Sequence, residues 1–534
     1  MTTTLLLGGV VHTPADPFAT ALLVEDGTVA WVGSDGAAAT HRDGVDEVVE
    51  LHGALVTPAF VDAHVHTTPT GLALTGLDLT GAPSLAAALE ALARFSRQRR
   101  GVGVLLGHGW DETAWPEGRA PTRGELDRAS HGGVVYLTRI DVHSAVASSA
   151  LLAAVPGLAA LPGFDPDGLL RRDAHHAARA AALAGVTPAL RAAAQRATLA
   201  RAAELGIGAY HELGGPEISS AADFAEVLAA ATAAPGPDVV GYWGELGGVE
   251  RARELGALGA AGDLFADGAI GSRTAYLRTV YRDADTTGHG YLTAAEVRDH
   301  VVACTRAGLQ AGFHVIGDGA TDVVVAGLAE AAVVVGVGAL RAARHRLEHL
   351  EMPDAAHLAE LARLGVFASV QPVFDALWGG TDGMYAGRLG PERAHGMNPF
   401  AAMTRAGIPL ALGSDSPVTP MGPWQAVRAA AFHRTPESRI TVRAAFSAHT
   451  RGGWRAAGVD DAGVLAPGQP ASYAVWAAGD LVVQTPDDRV AAWSTDPRAG
   501  VPGLPDLSPG RDLPQCLRTA VRGRVVYTRE GAFA

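Results

Sequence analysis

The chain has 534 residues, of which 48% are hydrophobic and 18% are charged, and its formal net charge is −14. This much apolar material excludes a wholly disordered chain, and the negative charge argues against nucleic acid as a partner because the chain repels phosphate backbones. All 42 basic residues are arginine. The lack of lysine excludes a phosphate-binding P-loop, a Schiff base and a metal bridge made by carbamylated lysine.

Short apolar runs separated by turn signals occupy both ends of the chain. Asp26-Gly27 lies between two such runs and is a strong hairpin signal. We therefore predict a small β-sandwich domain built from residues 1–56 and 456–534. Its expected strands lie in Leu5–Leu7, Val10–Val11, Ala21–Val24, Val29–Val32, Ala474–Trp476, Leu481–Val483 and Val521–Tyr527.

Residues 57–455 alternate Ala/Leu/Arg-rich helical stretches with short apolar runs. That alternation predicts an α/β fold, with a parallel sheet and crossover helices closed as a TIM-like (β/α)8 barrel. We expect a helical insertion at about 72–205, with helices at Ala86–Arg97 and Leu190–Leu205. The apolar runs are Leu55–Asp62, Gly103–Gly107, Val134–Leu137, Gly206–Tyr210, Val239–Tyr242, Leu309–Phe313, Val366–Val370 and Pro409–Leu412.

Nearly every apolar run is followed at once by His, Asp, Glu or Gln, and catalytic groups of such barrels lie at the carboxyl ends of strands. His64 and His66 are two residues apart on a strand, so their side chains point to the same face. His314, His349 and Asp415 end or follow later segments. Imidazoles joined by a carboxylate form a ligand set that Zn²⁺ prefers. These residues therefore predict a site for a divalent metal, with zinc as the expected ion.

Cysteine usage and hydropathy indicate the compartment. Cys304 and Cys516 are far apart in sequence and form no CxxC pair, which favours two buried thiols in a reducing environment. The start of the chain lacks the pattern of a signal peptide. The most hydrophobic stretch, Val323–Leu340, contains Glu330 and several glycines, which favours a buried barrel helix over a membrane span. We expect a cytoplasmic protein without a membrane partner.

Ordered motifs run through nearly the whole chain. They are Thr57-Pro-Ala-Phe-Val-Asp-Ala-His-Val-His66, Gly109-Trp-Asp-Glu112 with Trp115, Pro121–Asp127, Arg139–His143, Phe265–Ala275, His314–Asp318, Arg346–His349, Gly413–Pro417 and Gly463–Gly468. In this order they resemble the amidohydrolase superfamily, in its YtcJ-like (amidohydrolase-3 type) branch, which includes enzymes similar to N-substituted formamide deformylase. The resemblance implies a composite β-sandwich and a metal-dependent barrel, in agreement with the interpretation above.

A mechanism follows from the predicted metal. A bound divalent cation lowers the pKa of its water from 15.7 toward about 7, which makes hydroxide available at neutral pH. The resemblance assigns to Asp415 the role of orienting this water, taking its proton and passing it to the leaving nitrogen. We expect Asp415 and His349 to be the catalytic residues, and both also to be metal ligands.

One position departs from the branch. Its members usually carry, two residues before Phe-x-Asp-Gly, a lysine that is carbamylated and bridges two metals, whereas this chain has Asp263 there. A carboxylate is a competent ligand, but its side chain is several atoms shorter than the carbamylated lysine. We therefore expect Asp263 to be a further metal ligand in a site with one firmly held ion and a second that is weak or absent.

Three residues are candidates for binding substrate, each with a structural alternative. His143 could contact the developing oxyanion or the substrate, or could make a structural hydrogen bond. Arg273 could pair with an anionic group of the substrate, or with Asp267 or another nearby acid. Trp110, like Trp115, could line the pocket or be packed in the core.

The leading hypothesis is hydrolysis of a carbon–nitrogen bond other than a peptide bond, in an amide, a formamide or a cyclic imide. A second hypothesis is hydrolysis of an ester or lactone by the same site. A third is a non-catalytic relative that binds a ligand, since the bridging lysine is replaced by Asp263. In each case the expected partner is a small molecule, and a homodimer is expected from the frequency of that state among oligomers.

Overall fold

The structure is a computed structural model that describes residues 2–99, 103–484, 493–494 and 502–533. Its strands, in chain order, are Thr3–Leu7 (β1), Val10–Val11 (β2), Ala21–Glu25 (β3), Thr28–Gly33 (β4), Glu47–Glu50 (β5), Leu55–Pro58 (β6), Phe60–Val65 (β7), Leu77–Asp78 (β8), Leu105–Trp110 (β9), Val135–Arg139 (β10), Ser144–Ala147 (β11), Leu169–Arg171 (β12), Ile207–Gly214 (β13), Asp238–Trp243 (β14), Gly259–Ala260 (β15), Gln310–Val315 (β16), Arg346–His349 (β17), Phe367–Val370 (β18), Leu410–Leu412 (β19), Tyr473–Ala477 (β20), Leu481–Gln484 (β21), Trp493–Ser494 (β22), Leu504–Pro505 (β23), Gln515–Val521 (β24) and Arg524–Thr528 (β25).

The helices are mostly short, and several begin at sequence signals for capping. Thr293 and Glu296 form a reciprocal capping box at the start of one helix, and Gly308 ends that helix in the left-handed conformation. The α-helices are Asp35–Ala38 (α1), Thr67–Thr75 (α2), Leu85–Arg99 (α3), Arg123–Ser130 (α4), Ser149–Ala154 (α5), Arg172–Ala184 (α6), Pro188–Glu204 (α7), Ala221–Ala233 (α8), Val249–Glu254 (α9), Ala294–Ala307 (α10), Asp318–Val335 (α11), Val337–Ala343 (α12), Ala355–Leu364 (α13), Pro372–Trp378 (α14), Met384–Leu389 (α15), Pro391–His395 (α16), Phe400–Ala406 (α17), Pro423–Ala431 (α18), Val442–Ala448 (α19) and Arg451–Ala456 (α20).

An eight-stranded parallel sheet, in the order β19-β18-β17-β16-β15-β14-β13-β7, forms the barrel. Its first and last strands meet at their carboxyl ends. There the Asp415 N–H donates to the His64 carbonyl at 2.8 Å, and the His66 N–H donates to the Ser416 carbonyl at 3.0 Å. The predicted α/β fold with a TIM-like barrel is thereby confirmed, and the same seam brings three of the predicted metal ligands together.

Two predicted barrel strands belong elsewhere, and two real ones were missed. The runs at 103–107 and 134–137 overlap β9 and β10, which lie in a separate sheet. A buried apolar run predicts a strand but does not identify its sheet. The missed strands are β15, which has only two residues, and β17, whose sequence Arg-Leu-Glu-His is mostly polar although every residue in it is buried.

The insertion at about 72–205 contains a sheet, so the prediction of a helical insertion is corrected. Its five strands have the order β12-β11-β10-β9-β8. Strand β11 runs antiparallel to both of its neighbours, and the other four strands share one direction. The sheet has its own apolar core on one side, around Leu92, Leu126 and Val146. Helices such as α3 and α6 cover the strands, which is why their periodicity dominated the sequence pattern.

Strands from both ends of the chain share one sheet and a core. One four-stranded sheet has the order β4-β3-β1-β5, and one five-stranded sheet has the order β2-β6-β20-β24-β25. Leu6, Leu22, Val56, Val475 and Ala520 belong to a common apolar cluster. Of the predicted domain at 456–534, residues 485–492 and 495–501 lie outside the described residues.

Among the described residues, no single helix is long and apolar enough to cross a membrane. Helices α11 and α12 pass that test only as a pair, and they are bent by 115° where they meet. Cys304 and Cys516 are both buried and free, as predicted for isolated thiols.

Candidate metal centre

His64 and His66, at the end of β7, face the same point inside the barrel. The Nε2 atoms of both rings lie 3.2 Å from Oδ1 of Asp415, which follows β19. Both histidines and the aspartate are buried. The alternation of side chains along the strand and the seam between β7 and β19 therefore produce the cluster predicted for these three residues.

Asp263 and His349 complete the cluster from other strands. The Oδ2 atom of Asp263 lies 3.1 Å from His66 Nε2, and its Oδ1 atom lies 3.5 Å from His64 Nε2 and 3.9 Å from His349 Nε2. Two groups have ligand atoms close enough to hold one cation: His64, His66 and Asp415, and His64, Asp263 and His349. The aspartate at the position of the missing lysine thus reaches the same centre.

His314 lies beside the cluster and is absent from both groups. Its ring is 4.5 Å from the His349 ring, centroid to centroid, and 5.0 Å from that of His143. Neither ring nitrogen of His314 has a hydrogen-bond partner in the described part of the chain, although both are buried. The structure therefore brings five of the six predicted ligands together and places the sixth next to them.

Hydrogen bonds at Nδ1, on the side of the ring away from the centre, orient three of the histidines. The Nδ1 atom of His64 lies 3.0 Å from Glu348 Oε2, that of His66 lies 2.9 Å from the carbonyl of Leu213, and that of His349 lies 2.8 Å from Gln371 Oε1. Because each Nδ1 is engaged in this way, each Nε2 faces the centre. Partners of this kind fix the tautomer and the orientation of metal-binding histidines.

Buried atoms without hydrogen-bond partners show that the cluster fits a cation. His64 Nε2 lies 3.5 Å from Asp263 Oδ1 and 3.2 Å from Asp415 Oδ1, but these three buried atoms have no partner with hydrogen-bond geometry, which is costly. Burial alone lowers the pKa of His66, but the close carboxylates of Asp263 and Asp415 raise it to about 9 in the protein without a cation. In the protein without a cation, a proton on His66 therefore supplies positive charge at this site. A divalent ion with N and O ligands would supply that charge instead.

The backbone is strained at two of these residues. His349 has a φ of 70° and Asp415 a φ of 55°, both in the left-handed region that non-glycine residues rarely adopt. Such strain costs of order 1–3 kcal/mol per residue and persists where the surrounding structure requires it. Here it coincides with the ends of β17 and β19, where the two side chains turn toward the centre.

A cavity of about 110 Å³ opens onto the cluster. Most of its wall is apolar, and the insertion supplies much of it, through Leu77, Leu106, Tyr136 and Val142. Polar groups on the wall include His108, Thr138, His143 and Arg179. The insertion therefore shapes the space in which a substrate would meet the metal.

His143 borders this cavity, as predicted, and contacts the rings of Phe265 and His314. Burial and the nearby His314 ring hold the pKa of His143 well below its usual value, so the imidazole is neutral at neutral pH. A neutral imidazole in this position has an N–H to offer to a substrate oxygen.

Trp110 and Arg273 do not line the cavity beside the metal centre, so their prediction as substrate contacts is corrected. Trp110 is packed in the core of the insertion and donates from Nε1 to the Leu137 carbonyl at 2.9 Å. Arg273 forms a bidentate ion pair with Asp283, at 3.1 and 2.7 Å. Both follow the structural alternatives considered for them, since indoles pack well and exposed arginines commonly pair with local acids.

Several residues of the site were not identified from the sequence. His108 lies within β9 and directly follows the predicted apolar run Gly103–Gly107. It therefore meets the same rule that identified the ligands, but it was not named as a candidate. Its Nε2 atom lies 2.8 Å from the carbonyl of Pro417, beside Asp415. Glu348 and Gln371 act only through histidines, and no pattern along the chain marks such a role.

Comparison with known proteins finds similar sequences and a similar structure. The chain is 27% identical to the putative amidohydrolase YtcJ of Bacillus subtilis over 447 residues, covering 78% of this chain and 80% of that protein. It is 25% identical to N-substituted formamide deformylase of Arthrobacter pascens over 473 residues, covering 81% and 85% respectively. An uncharacterized metal-dependent hydrolase of Pyrococcus furiosus has a similar structure, with a TM-score of 0.68 and 25% identity over 89% of this chain and 98% of that one.

The sequence profile of the amidohydrolase family matches residues 47–527, which is most of the chain. The match spans the barrel, the insertion and strands of both terminal sheets. It confirms the family resemblance found in the ordered motifs, and with it the prediction of a hydrolase. The chain belongs to the amidohydrolase family.

Proposed function

We propose that the chain is a metal-dependent hydrolase of carbon–nitrogen bonds other than peptide bonds, acting on an amide, a formamide or a cyclic imide. The observation that carries the proposal is the position of Asp415. Its carboxylate contacts both His64 and His66 and also lines the cavity. An acid–base group at the wall of a substrate cavity and beside a metal site is the arrangement that hydrolysis requires.

One firmly held ion, with zinc as the expected metal, is supported by the overlap of the two ligand groups. Both groups use Nε2 of His64, and the other ring nitrogen of that residue is engaged by Glu348. One imidazole nitrogen binds one ion, so the groups compete for it. Metal analysis of freshly purified protein should give about one equivalent per chain, and two tight equivalents would overturn this part of the proposal.

The protein's own groups account for the proton transfers. A divalent cation at this site supplies Lewis acidity that lowers the pKa of water toward about 7 and polarises a carbonyl. In the protein without a cation, burial opposes ionisation of Asp415, but the nearby His64 and His66 hold the pKa of its carboxyl well below the usual range. A bound cation would replace the histidine protons as the positive charge that keeps Asp415 ionised. Its carboxylate would then accept the proton of the attacking water and pass it to the leaving nitrogen.

The cavity supports a substrate with an apolar substituent. Its walls are mostly hydrophobic, and neutral His143 offers a hydrogen bond to a carbonyl oxygen. Arg179 is fixed by hydrogen bonds to the Glu217 carbonyl at 3.0 Å and to His175 Nε2 at 2.9 Å. The relative from Arthrobacter pascens acts, by its name, on N-substituted formamides, and such compounds combine an apolar group with a small acyl carbon.

The test is turnover of matched compounds by protein loaded with Zn²⁺, Mn²⁺ or Co²⁺. N-alkyl and N-aryl formamides, amides and cyclic imides are compared with esters and lactones of the same shape. We expect hydrolysis of at least one class of carbon–nitrogen compound. This activity should be lost in Asp415→Asn and unchanged in the control Asp461→Asn, which changes an exposed aspartate. Hydrolysis of esters and lactones alone would favour that second hypothesis, and tight metal binding without any turnover would favour a binding protein.

A further inference from the structure

A second cavity, of about 350 Å³, lies between the insertion and the barrel and shares no lining residue with the cavity at the metal centre. We call it the arginine cavity because five guanidinium groups line it. They are Arg119, Arg139, Arg171, Arg273 and Arg388.

Three carboxylates pair with the Arg139 guanidinium. Its guanidinium donates to Glu112 at 2.8 Å, to Asp141 at 2.9 Å and to Asp111 at 2.9 Å. The second oxygen of Glu112 accepts from Arg388 at 2.6 Å. Glu112, the one acidic residue on the described wall of the arginine cavity, therefore has both oxygens engaged by Arg139 and Arg388.

Three other arginines of the wall are also paired. Arg388 donates to Asp283 at 2.7 Å and to the Gly271 carbonyl at 3.1 Å. Arg273 donates from Nε and Nη2 to the same Asp283, which leaves its Nη1 without a partner in the described part of the chain. Arg119 pairs with Glu125 through both Nη atoms.

Arg171 is different, because its side chain has neither a hydrogen bond nor an ion pair with any described residue, and its Nε is fully buried. It lies on β12, at the start of α6. Burial, and next the charge of Arg273, lower the pKa of Arg171. The described residues provide no acceptor for this buried Nε, and leaving a buried donor unpaired is costly.

We propose that the arginine cavity binds an oxyanion, the carboxylate or phosphate group of a small molecule, through the free guanidinium of Arg171 and the free Nη1 of Arg273. Guanidinium groups match the geometry of both oxyanions. Arg171 belongs to the insertion and Arg273 to the loop after β15, so the anion joins the insertion to the barrel. The inference is independent of the reaction proposed above.

The test is calorimetric titration of the metal-loaded protein with inorganic phosphate, at ionic strength held constant with sodium chloride. Arg171→Gln is compared with wild type and with Arg97→Gln, which changes an exposed arginine of α3 in the same insertion. We expect phosphate binding at least tenfold weaker in Arg171→Gln and unchanged in Arg97→Gln. Equal binding by all three proteins, or no phosphate binding by wild type, would overturn the proposal.

Two further measurements make the result specific. Phosphate that binds at the metal centre is retained in Arg171→Gln and lost in Asp415→Asn, so the two sites are counted separately. Acetate, titrated in the same way, distinguishes a planar carboxylate from a tetrahedral phosphate as the preferred group. Arg171→Met, with a side chain of similar length, replaces Arg171→Gln if metal content or thermal melting shows that the latter is misfolded.

Discussion

The Oε2 atom of Glu348 lies 3.0 Å from Nδ1 of His64 and leaves the other ring nitrogen facing Asp415. Arg346 donates to the same oxygen at 3.0 Å, and all of these groups are buried. Burial opposes ionisation of Glu348, but the Arg346 charge and the hydrogen bond to His64 lower its pKa to about 2. A permanently charged carboxylate thus fixes the ring that both ligand groups share.

Glu348→Gln should weaken metal binding about 10- to 100-fold, which is the usual effect of removing a hydrogen-bond partner of a ligand. The glutamine keeps the shape of the side chain but does not hold the tautomer of His64 by charge. Competition with a chelator of known affinity measures the change. Glu437→Gln, at an exposed site, is the control, and an affinity equal to that of wild type in Glu348→Gln would show that Glu348 is only a packing residue.

Metal affinity should rise with pH between about 6.5 and 9. Without a cation, the pKa of His66 is raised to about 9 by Asp263 and Asp415, against the effect of burial. A metal must displace that proton, so affinity changes by about tenfold per pH unit for each proton released. Titrations in buffers of different ionisation enthalpy count the protons, and a pH-independent affinity would contradict the prediction.

The metal-free protein should show the opposite trend in stability. A raised pKa in the folded state gives stabilisation that is fully present below the unfolded value of about 6.5. It is lost as the pH rises through about 9, the folded value for His66. The melting temperature of chelator-treated protein should therefore fall over this range, whereas that of the metal-loaded protein should not follow the same titration.

Substrate size should be controlled by the insertion and by α2. Ala73, near the end of α2, lines the cavity at the metal centre. Ala73→Phe should raise KM for substrates with a bulky apolar group at least tenfold and change KM for small amides far less, because the ring occupies space in a cavity of only about 110 Å³. Ala86→Phe, on the exposed side of α3, serves as the control. An equal loss for all substrates would indicate a damaged fold instead.

Helix α4 should lose stability in acid through Glu125. Hydrogen bonds from Arg119, and from Thr122 in a capping box, lower the pKa of Glu125 to about 2. Because the folded pKa is below the unfolded one, this stabilisation is present above about 4.5 and is lost as the pH falls through about 2. The melting temperatures of wild type and Glu125→Gln should differ at pH 7 and converge toward pH 2. A constant difference would contradict the assignment.

The ligands could be predicted from the sequence because polar residues at the carboxyl ends of parallel strands meet at one edge of a sheet. This logic placed His64, His66, His349 and Asp415 in one cluster, whereas His314, predicted in the same way, lies beside the cluster and belongs to neither ligand group. Asp263 could be identified only by its position in a family motif, since β15 is too short to read as a strand.

The insertion and the substrate contacts were harder to predict. Apolar runs look alike in the barrel and in the insertion sheet, because both are buried, so β9 and β10 were assigned to the wrong sheet. The local sequence does not show whether an arginine contacts a substrate or pairs with an acid, or whether a tryptophan contacts a substrate or packs in the core. Arg273 pairs with Asp283 and Trp110 packs in the core of the insertion. Only the fold brings these partners close, so the sequence could not show that neither residue contacts the substrate.

The seam between β7 and β19 has a consequence for how the barrel opens. The backbone groups that join the two strands belong to His64, His66, Asp415 and Ser416, and the side chains of the first three would bind the ion. An ion bound there would connect β7, the first strand of the barrel, to β19, the last. Removal of the ion by a chelator should therefore weaken the contact between β7 and β19 first. Amide hydrogen exchange should accelerate at residues 64–66 and 415–416 before it accelerates in the strands on the opposite side of the barrel.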